Sequence, residues 1–182
     1  MRLLPIACVV ALLSSGTAFA VEDDLTGLAV NLPKTFVVEK ALPPLDYLVS
    51  FGVKNALGNP VALKGETYLC QASFMPDPAN AEFNQEQLNT AVASEGWRDH
   101  MKTLLSQDVD VGEITPFELG GIVGQEFIVT SRLKQDADAR AVMSFLETPK
   151  GRSLICCVTE ADTLDTNLDI FRTIRDGVIP PA

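Results

Sequence analysis

The residue types that support enzymatic or metal chemistry are sparse in this chain of 182 residues, which has a single histidine, His100. Zinc sites in proteins combine several histidine and cysteine ligands, and neither a second histidine nor a nearby cysteine accompanies His100. A serine triad needs only one histidine, but no serine has the G-x-S-x-G pattern that exposes a nucleophile. His100 follows Asp99 on a helical stretch, so we interpret it as a solvated or capping side chain. The sequence therefore predicts no metal site and no catalytic histidine.

Alternating carboxylates occur twice, at Asp108 and Asp110 and again at Asp136 and Asp138. Oxygen-rich loops of this kind can bind calcium. Neither pair is followed by the glycine turn and the distal glutamate of a calcium loop, so we interpret both as solvated turns. Two carboxylates that meet in space could also hydrolyse a glycoside. A small secreted hydrolase that uses paired carboxylates is therefore the alternative function.

The sequence lacks the phosphate-binding motifs of nucleotide-binding proteins, because neither G-x-x-x-x-G-K nor G-x-G-x-x-G occurs in the chain. Trp97 and Phe83 could form the floor of a ligand pocket, but the helical spacing of Trp97 with Met101 and Leu105 favours packing in the core. We therefore assign no catalytic residue and no cofactor-binding residue, and we expect no cofactor.

Residues 1–20 have the pattern of a secretory signal peptide. A short positive start precedes an apolar run, residues 3–13, which is too short to span a bilayer because a spanning helix needs about 20 apolar residues. Ala18 and Ala20 are the small residues that signal peptidase recognises, and an acidic segment begins at Val21. We expect cleavage between Ala20 and Val21 and a periplasmic or secreted protein.

Residues 21–182 then form a single domain that is long enough for one hydrophobic core. Arg2 is the only charged residue before this domain, so a full-length net charge of −10 becomes about −11 after cleavage. A surface this acidic repels phosphate backbones and anionic lipids, so we expect no nucleic-acid partner and no membrane insertion after removal of the leader. The acidity favours solubility. We expect a monomer whose partner is another exported protein.

Three cysteines follow the expected leader: Cys70, Cys156 and Cys157. An exported chain folds in an oxidising compartment, where thiols tend to pair. Neighbouring residues of a strand face opposite sides of a sheet, so at most one of Cys156 and Cys157 could bridge to Cys70, and the other would be buried and inert or free. The alternative is that all three cysteines pack as small hydrophobic residues.

Apolar residues alternate along several short runs, which is the pattern of half-buried strands. The predicted strands cover residues 27–33, 35–39, 46–54, 66–74, 113–119, 122–131, 139–147 and 152–159. Between the fourth and fifth of these, Asn84 is a candidate helix N-cap with Gln87 three residues later. The apolar face changes phase at Gly96, which predicts two short helices or one helix with a kink there.

A terminal helix is predicted by apolar residues that recur at helical spacing from Leu164 to Ile174, and Gly177 ends it. The chain therefore has strands, a helical insertion, further strands and a last helix. This order predicts an α+β fold with one largely antiparallel sheet.

Four stretches of the sequence resemble the PsbP/Mog-type fold family. Residues 27–33 resemble its opening strand, as do residues 46–51 shortly after it. Residues 117–127 resemble its central strand–turn–strand with glycines, and residues 168–174 resemble its terminal helix. The resemblance implies an α-β-α sandwich around one antiparallel sheet. It also implies a non-enzymatic role, because known members are assembly factors, extrinsic subunits or chaperone-like binders, and it transfers no catalytic residue to this chain.

We therefore expect an exported, non-catalytic binding or assembly-factor protein. The leader argues against the cytoplasmic chaperone role that some members of the family have. Two convergent carboxylates with raised pKa values in a cleft would favour the alternative, a hydrolase. A broad exposed apolar patch would favour a binding protein.

The leader gives the first prediction. Signal peptidase should cut after Ala20, because small residues at Ala18 and Ala20 fit its pocket. N-terminal sequencing of the exported protein should therefore begin at Val21. A start at Cys8, where a lipoprotein leader would be cleaved, or an intact leader on a stable membrane protein, would contradict the expected periplasmic or secreted location.

Overall fold

The computed structural model describes residues 19–132 and 138–182 of the chain. These residues form ten strands and three α-helices. The strands are β1 (Phe19–Glu22), β2 (Ala29–Leu32), β3 (Phe36–Ala41), β4 (Val49–Asn55), β5 (Cys70–Pro76), β6 (Val109–Leu119), β7 (Ile122–Ser131), β8 (Ala139–Thr148), β9 (Gly151–Glu160) and β10 (Val178–Ile179). The helices are α1 (Gln85–Ala93), α2 (Glu95–Leu105) and α3 (Leu164–Asp176).

A seven-stranded antiparallel sheet forms the middle layer of the fold, with the strand order β3-β4-β5-β9-β8-β7-β6. All but one of its pairings join strands that follow one another in the chain. The exception in the described sheet is the pairing of β5 with β9, which places Cys70 opposite Cys157 and Pro76 opposite Gly151. A second, three-stranded sheet has the order β1-β2-β10.

The two faces of the large sheet carry separate hydrophobic clusters. One face packs against α3 and the small sheet through residues such as Phe51, Val30 and Phe171, all of them fully buried. The other face packs against α2 through Met101, Phe127, Phe145 and Leu154, with Trp97 beside them. Helices therefore cover both faces of an antiparallel sheet, and the predicted α+β fold with its α-β-α layers is confirmed.

The helical insertion begins as the sequence predicts and divides two residues earlier than predicted. Asn84 and Gln87 form a capping box at the start of α1. The break between α1 and α2 lies at Ser94, whose hydroxyl accepts a hydrogen bond from the Trp97 N–H at 3.1 Å and caps α2. The two predicted short helices are therefore confirmed, but Gly96 lies inside the first turn of α2 and not at the boundary. The capping side chain, and not the glycine, sets the boundary.

A buried carboxylate holds α3 against the sheet. Glu126 of β7 is only 2% exposed. Its Oε1 accepts hydrogen bonds from Arg172 at 2.8 and 3.1 Å, and its Oε2 accepts one from Arg175 at 2.8 Å. The guanidinium of Arg175 also lies 4.2 Å from the ring centroid of Phe117. The hydrogen bonds that Arg172 donates to Glu126 raise the pKa of Arg172. A charge at this depth is tolerated because both of its oxygens are paired.

The cysteines lie where the two distant parts of the sheet meet. Cys70 and Cys157 face each other across β5 and β9 with their Cα atoms 4.0 Å apart, and the structure joins them by a disulfide. The Val158 N–H donates to the Leu69 carbonyl, so this is a non-hydrogen-bonded pair, in which opposite Cα atoms lie closest. Cys156 faces the helical layer, and burial raises the pKa of its thiol to about 11.

Thiol counting on the denatured, unreduced exported protein tests whether this bond forms. We expect one free thiol, that of Cys156, because a bridge between Cys70 and Cys157 removes the other two. The bond closes a loop of 87 residues, which the chain-entropy model values at about 4.5 kcal/mol. A Cys156→Ser control should then show no free thiol and a Cys70→Ser variant two. Three free thiols in the unmodified protein would show that the cysteines only pack.

Candidate binding surface

Four exposed leucines lie on two loops that are connected by the ion pair between Lys40 and Asp23, and we call them the leucine patch. Three of them are in the loop between β3 and β4, where Leu42 and Leu45 are each 89% exposed and Leu48 is 53% exposed. The fourth, Leu25, is 81% exposed in the turn between β1 and β2. Isolated surface leucines are common, but a group of them on neighbouring loops is typical of an interaction surface.

Proline and a tight turn order the loop that carries three of these leucines. Pro43 and Pro44 fix their own backbone φ angles, and each restricts the residue before it to extended conformations. The Tyr47 N–H then donates to the Pro44 carbonyl at 3.1 Å. Asp46 within this turn has a φ of 70°, a conformation that aspartate tolerates better than most residues. Leu45 therefore lies at the corner of a defined turn.

The end of the loop is attached to the large sheet. Tyr47 packs half-buried against the hydrophobic cluster beneath α2, and burial raises the pKa of its phenol to about 12. The Leu48 N–H donates to the Phe74 carbonyl of β5 at 2.9 Å. The tyrosine thus points inward while the leucines on either side point outward, so the loop presents its apolar side chains from a fixed base.

An ion pair connects the turn that carries the fourth leucine to β3. Lys40, close to the end of β3, donates to Asp23 Oδ1 at 3.1 Å. Asp23 Oδ2 accepts hydrogen bonds from the backbone and the hydroxyl of Thr26, which close the turn around Leu25. Burial alone would raise the pKa of Asp23, but the hydrogen bonds from Thr26 and the contact with Lys40 outweigh it and lower that pKa.

A cleft in the helical layer contains the two aromatic residues that the sequence analysis considered for a ligand pocket. It has a volume of about 320 Å³ and lies between α1, the start of α2 and the hairpin that joins β8 to β9. Trp97 lines it but packs mainly on Phe127 and Phe145, as its helical spacing predicts. Phe83 is 47% exposed at the cleft and is not a core residue.

One carboxylate among the described residues lines this cleft, and it already has partners. Glu147 accepts hydrogen bonds from Arg152 at 2.6 Å and from Asn80 at 2.9 Å. A second cleft of about 350 Å³, beside the 63–66 loop, also has one lining carboxylate, that of Glu66. Among the residues that the structure describes, neither cleft therefore brings together the two carboxylates that a glycosidase needs.

The other residues considered for chemistry lie apart from one another. His100 is exposed on α2, and Asp110 on β6 pairs with Arg132 at 2.7 Å. Asp108 is exposed just before β6, and Asp136 lies outside the described residues. Within residues 19–132 and 138–182 no group of three or more histidine, cysteine or acidic side chains is close enough to hold a metal ion. The helices in those ranges include none that is long and apolar enough to cross a membrane.

Sequence reasoning missed the leucine patch. The double proline at positions 43–44 falls between the predicted strands at residues 35–39 and 46–54 and gives no functional signal by itself. Leu42 and Leu45, which lie three residues apart on either side of that double proline, are a signal that could have been used. Three-residue spacing places side chains on one side of an extended, proline-restricted segment.

Thermal melts of alanine variants test whether the leucines are available for binding or needed for folding. Leu42→Ala and Leu45→Ala should change the free energy of unfolding by less than about 0.5 kcal/mol, because exposed side chains contribute little to stability. Leu146→Ala, at a fully buried leucine, is the matched control and should cost about 2–5 kcal/mol. Equal costs at all three positions would mean that the loop leucines support the fold.

Comparison with solved structures identifies the fold. The solution structure of cyanobacterial PsbP from Synechocystis is similar to this chain with a TM-score of 0.54 at 14% identity, over 95% of this chain and 98% of that one. A Pseudomonas aeruginosa protein of unknown function gives a TM-score of 0.44 at 8% identity, over 92% of this chain and 99% of that one. No family model and no curated protein matches the sequence. This chain has a PsbP-like fold.

Proposed function

We propose that this chain is an exported, non-catalytic binding or assembly-factor protein that uses the leucine patch to contact another exported protein. The observation that carries the proposal is the exposure of Leu42 and Leu45 on an ordered loop. The leader pattern of residues 1–20 supports export. The PsbP-like fold supports a small domain without a catalytic centre only by analogy, because fold alone does not determine function.

The energetics of the patch suit a binding surface. Removing a leucine side chain from water contributes about 1.5–3 kcal/mol. Leu42 and Leu45 obtain little of this in the folded chain, since almost all of their surface is exposed. A loop that is already ordered loses little conformational entropy on binding, so more of the contact energy appears as affinity. A partner that covers the patch would therefore gain from side chains that do not stabilise the fold.

The hydrolase alternative gains no support from the described residues. It needs two carboxylates that converge on one substrate, and the clefts at Glu147 and Glu66 each have one. Glu147 is further occupied by Arg152, whose Nε lies 2.6 Å from its Oε1. An apolar patch without such a carboxylate pair favours a binding protein over a hydrolase.

Affinity capture with matched variants tests the proposed function. The immobilised protein, a Leu42→Asp/Leu45→Asp variant and a Leu57→Asp control are each exposed to an extract of exported proteins from the native host. Leu57 is 78% exposed at the opposite end of the β3–β4 pair, so its substitution adds one aspartate charge away from the patch. We expect the unmodified protein and the Leu57→Asp control to capture the same protein, and the double variant to lose it.

Two results would contradict the proposed function. If the unmodified protein and both variants captured the same proteins, the leucine patch would not be the surface that binds them. Hydrolysis of a glycoside by the purified protein, abolished by Glu147→Gln, would favour the enzyme instead.

A further inference from the structure

We propose that the loop at residues 42–48 is a rigid apolar projection that inserts into an apolar groove on the partner. Lysine or arginine side chains lie at the rim of that groove. This inference rests on the proposed function and adds the shape and charge of the partner. It is carried by three separate properties of the loop, which are its stiffness, its convex form and the charges beside it.

The stiffness comes from the double proline. Leu42 and Pro43 each precede a proline and are held in extended conformations, which have about three residues per turn. Leu42 and Leu45 are three residues apart, so this geometry directs both side chains to one side of the loop. The turn closed by Tyr47 and Pro44 ends the projection. The leucine pair is therefore arranged before any partner binds.

The patch is convex, so the concave surface belongs to the partner. Leu25, Leu42 and Leu45 are each more than four-fifths exposed, which is the exposure of a projection. The clefts at Glu147 and at Glu66 do not include any of the four patch leucines. A projecting apolar loop buries its side chains efficiently only in a groove.

The charges beside the patch select a basic partner. Asp24 and Asp46 are exposed next to Leu25 and Leu45 in the sequence, whereas Lys40 is paired with Asp23. A second copy of this chain would bring these carboxylates together and would be repelled, and so would an anionic lipid surface. Lysine or arginine at the rim of a groove would complement them.

Site-specific photo-crosslinking in the native host tests this inference. A photo-reactive phenylalanine replaces Leu45 in one form of the full-length chain, Leu57 in a second and Phe83 of the helical cleft in a third. We expect one discrete crosslinked protein from position 45 and none from the other two. A homodimer or a lipid adduct from position 45 would overturn the inference.

A cyclic peptide of residues 41–50 serves as the competitor probe, because Ala41 and Ser50 are paired neighbours in the structure and can be closed head to tail. In an extract of exported proteins, this peptide at about ten times its own Kd should lower the crosslink yield from position 45 about tenfold, because it then occupies about nine-tenths of the partner. The same peptide with Leu42→Asp and Leu45→Asp is the control and should leave the yield unchanged. Equal effects of the two peptides would overturn the inference.

Charge removal tests the basic rim. Asn tolerates the positive φ at position 46, so Asp24→Asn/Asp46→Asn removes both charges without forcing the turn. The crosslink yield should fall about threefold or more at low salt and should match the unmodified chain at high salt, where charges are screened. The control, Glu118→Gln at an exposed position of β6, should have no effect. If the variant and the unmodified chain gave equal crosslink yields at low salt, the partner's groove would have no basic rim.

The failure of this inference differs from the failure of the proposed function. A protein crosslinked from position 45 whose yield falls neither with the peptide nor on charge removal would end this inference and leave the proposed function standing. A protein crosslinked from position 83 and not from position 45 would contradict both proposals. Absence of a protein crosslink from every position would end both proposals.

Discussion

Strands β5 and β9 hold together two halves of the sheet that the chain builds separately. The strands β3-β4-β5 form one run of neighbours and β6-β7-β8-β9 form another, each by pairings between successive strands. Seven residue pairs join the two runs, from Cys70 with Cys157 to Pro76 with Gly151. Pairing β5 with β9 closes a long loop, which costs more conformational entropy than pairing strands that are adjacent in the chain. A disulfide at the first residue pair therefore stabilises the pairing that is most costly to form.

The two faces of the joined sheet then serve different purposes. On one face Glu126 pairs with Arg172 and Arg175 and holds the terminal helix, so that the larger hydrophobic cluster is closed. On the other face the helices α1 and α2 cover only part of the sheet, and Tyr47 packs beside them. Because Leu48 is hydrogen-bonded to Phe74 of β5, the position of the leucine patch depends on the strand that makes the β5–β9 pairing.

The sequence predicts what is local in this fold. Alternation identifies the strands, and Asn84 with Gln87 identifies the start of α1, because these signals depend on neighbouring residues. It does not predict that β5 and β9 pair, since alternation defines the faces of a strand and not its partner. The two-residue strand β10 is too short for a pattern, and β1 overlaps the end of the predicted leader. The exposure of the leucines depends on Tyr47 packing inward, which is a tertiary contact.

The most direct test of the account is amide hydrogen exchange on the full protein, free and bound to the protein it captures. The exchange rates of the bound and free protein differ wherever the partner covers the backbone or makes it more rigid. We expect slower exchange at residues 42–48 and in the turn at 23–27, with α1 and the start of α2 unchanged. Slower exchange around Phe83 and Trp97, with the 42–48 loop unchanged, would contradict the central claim and assign binding to the helical cleft.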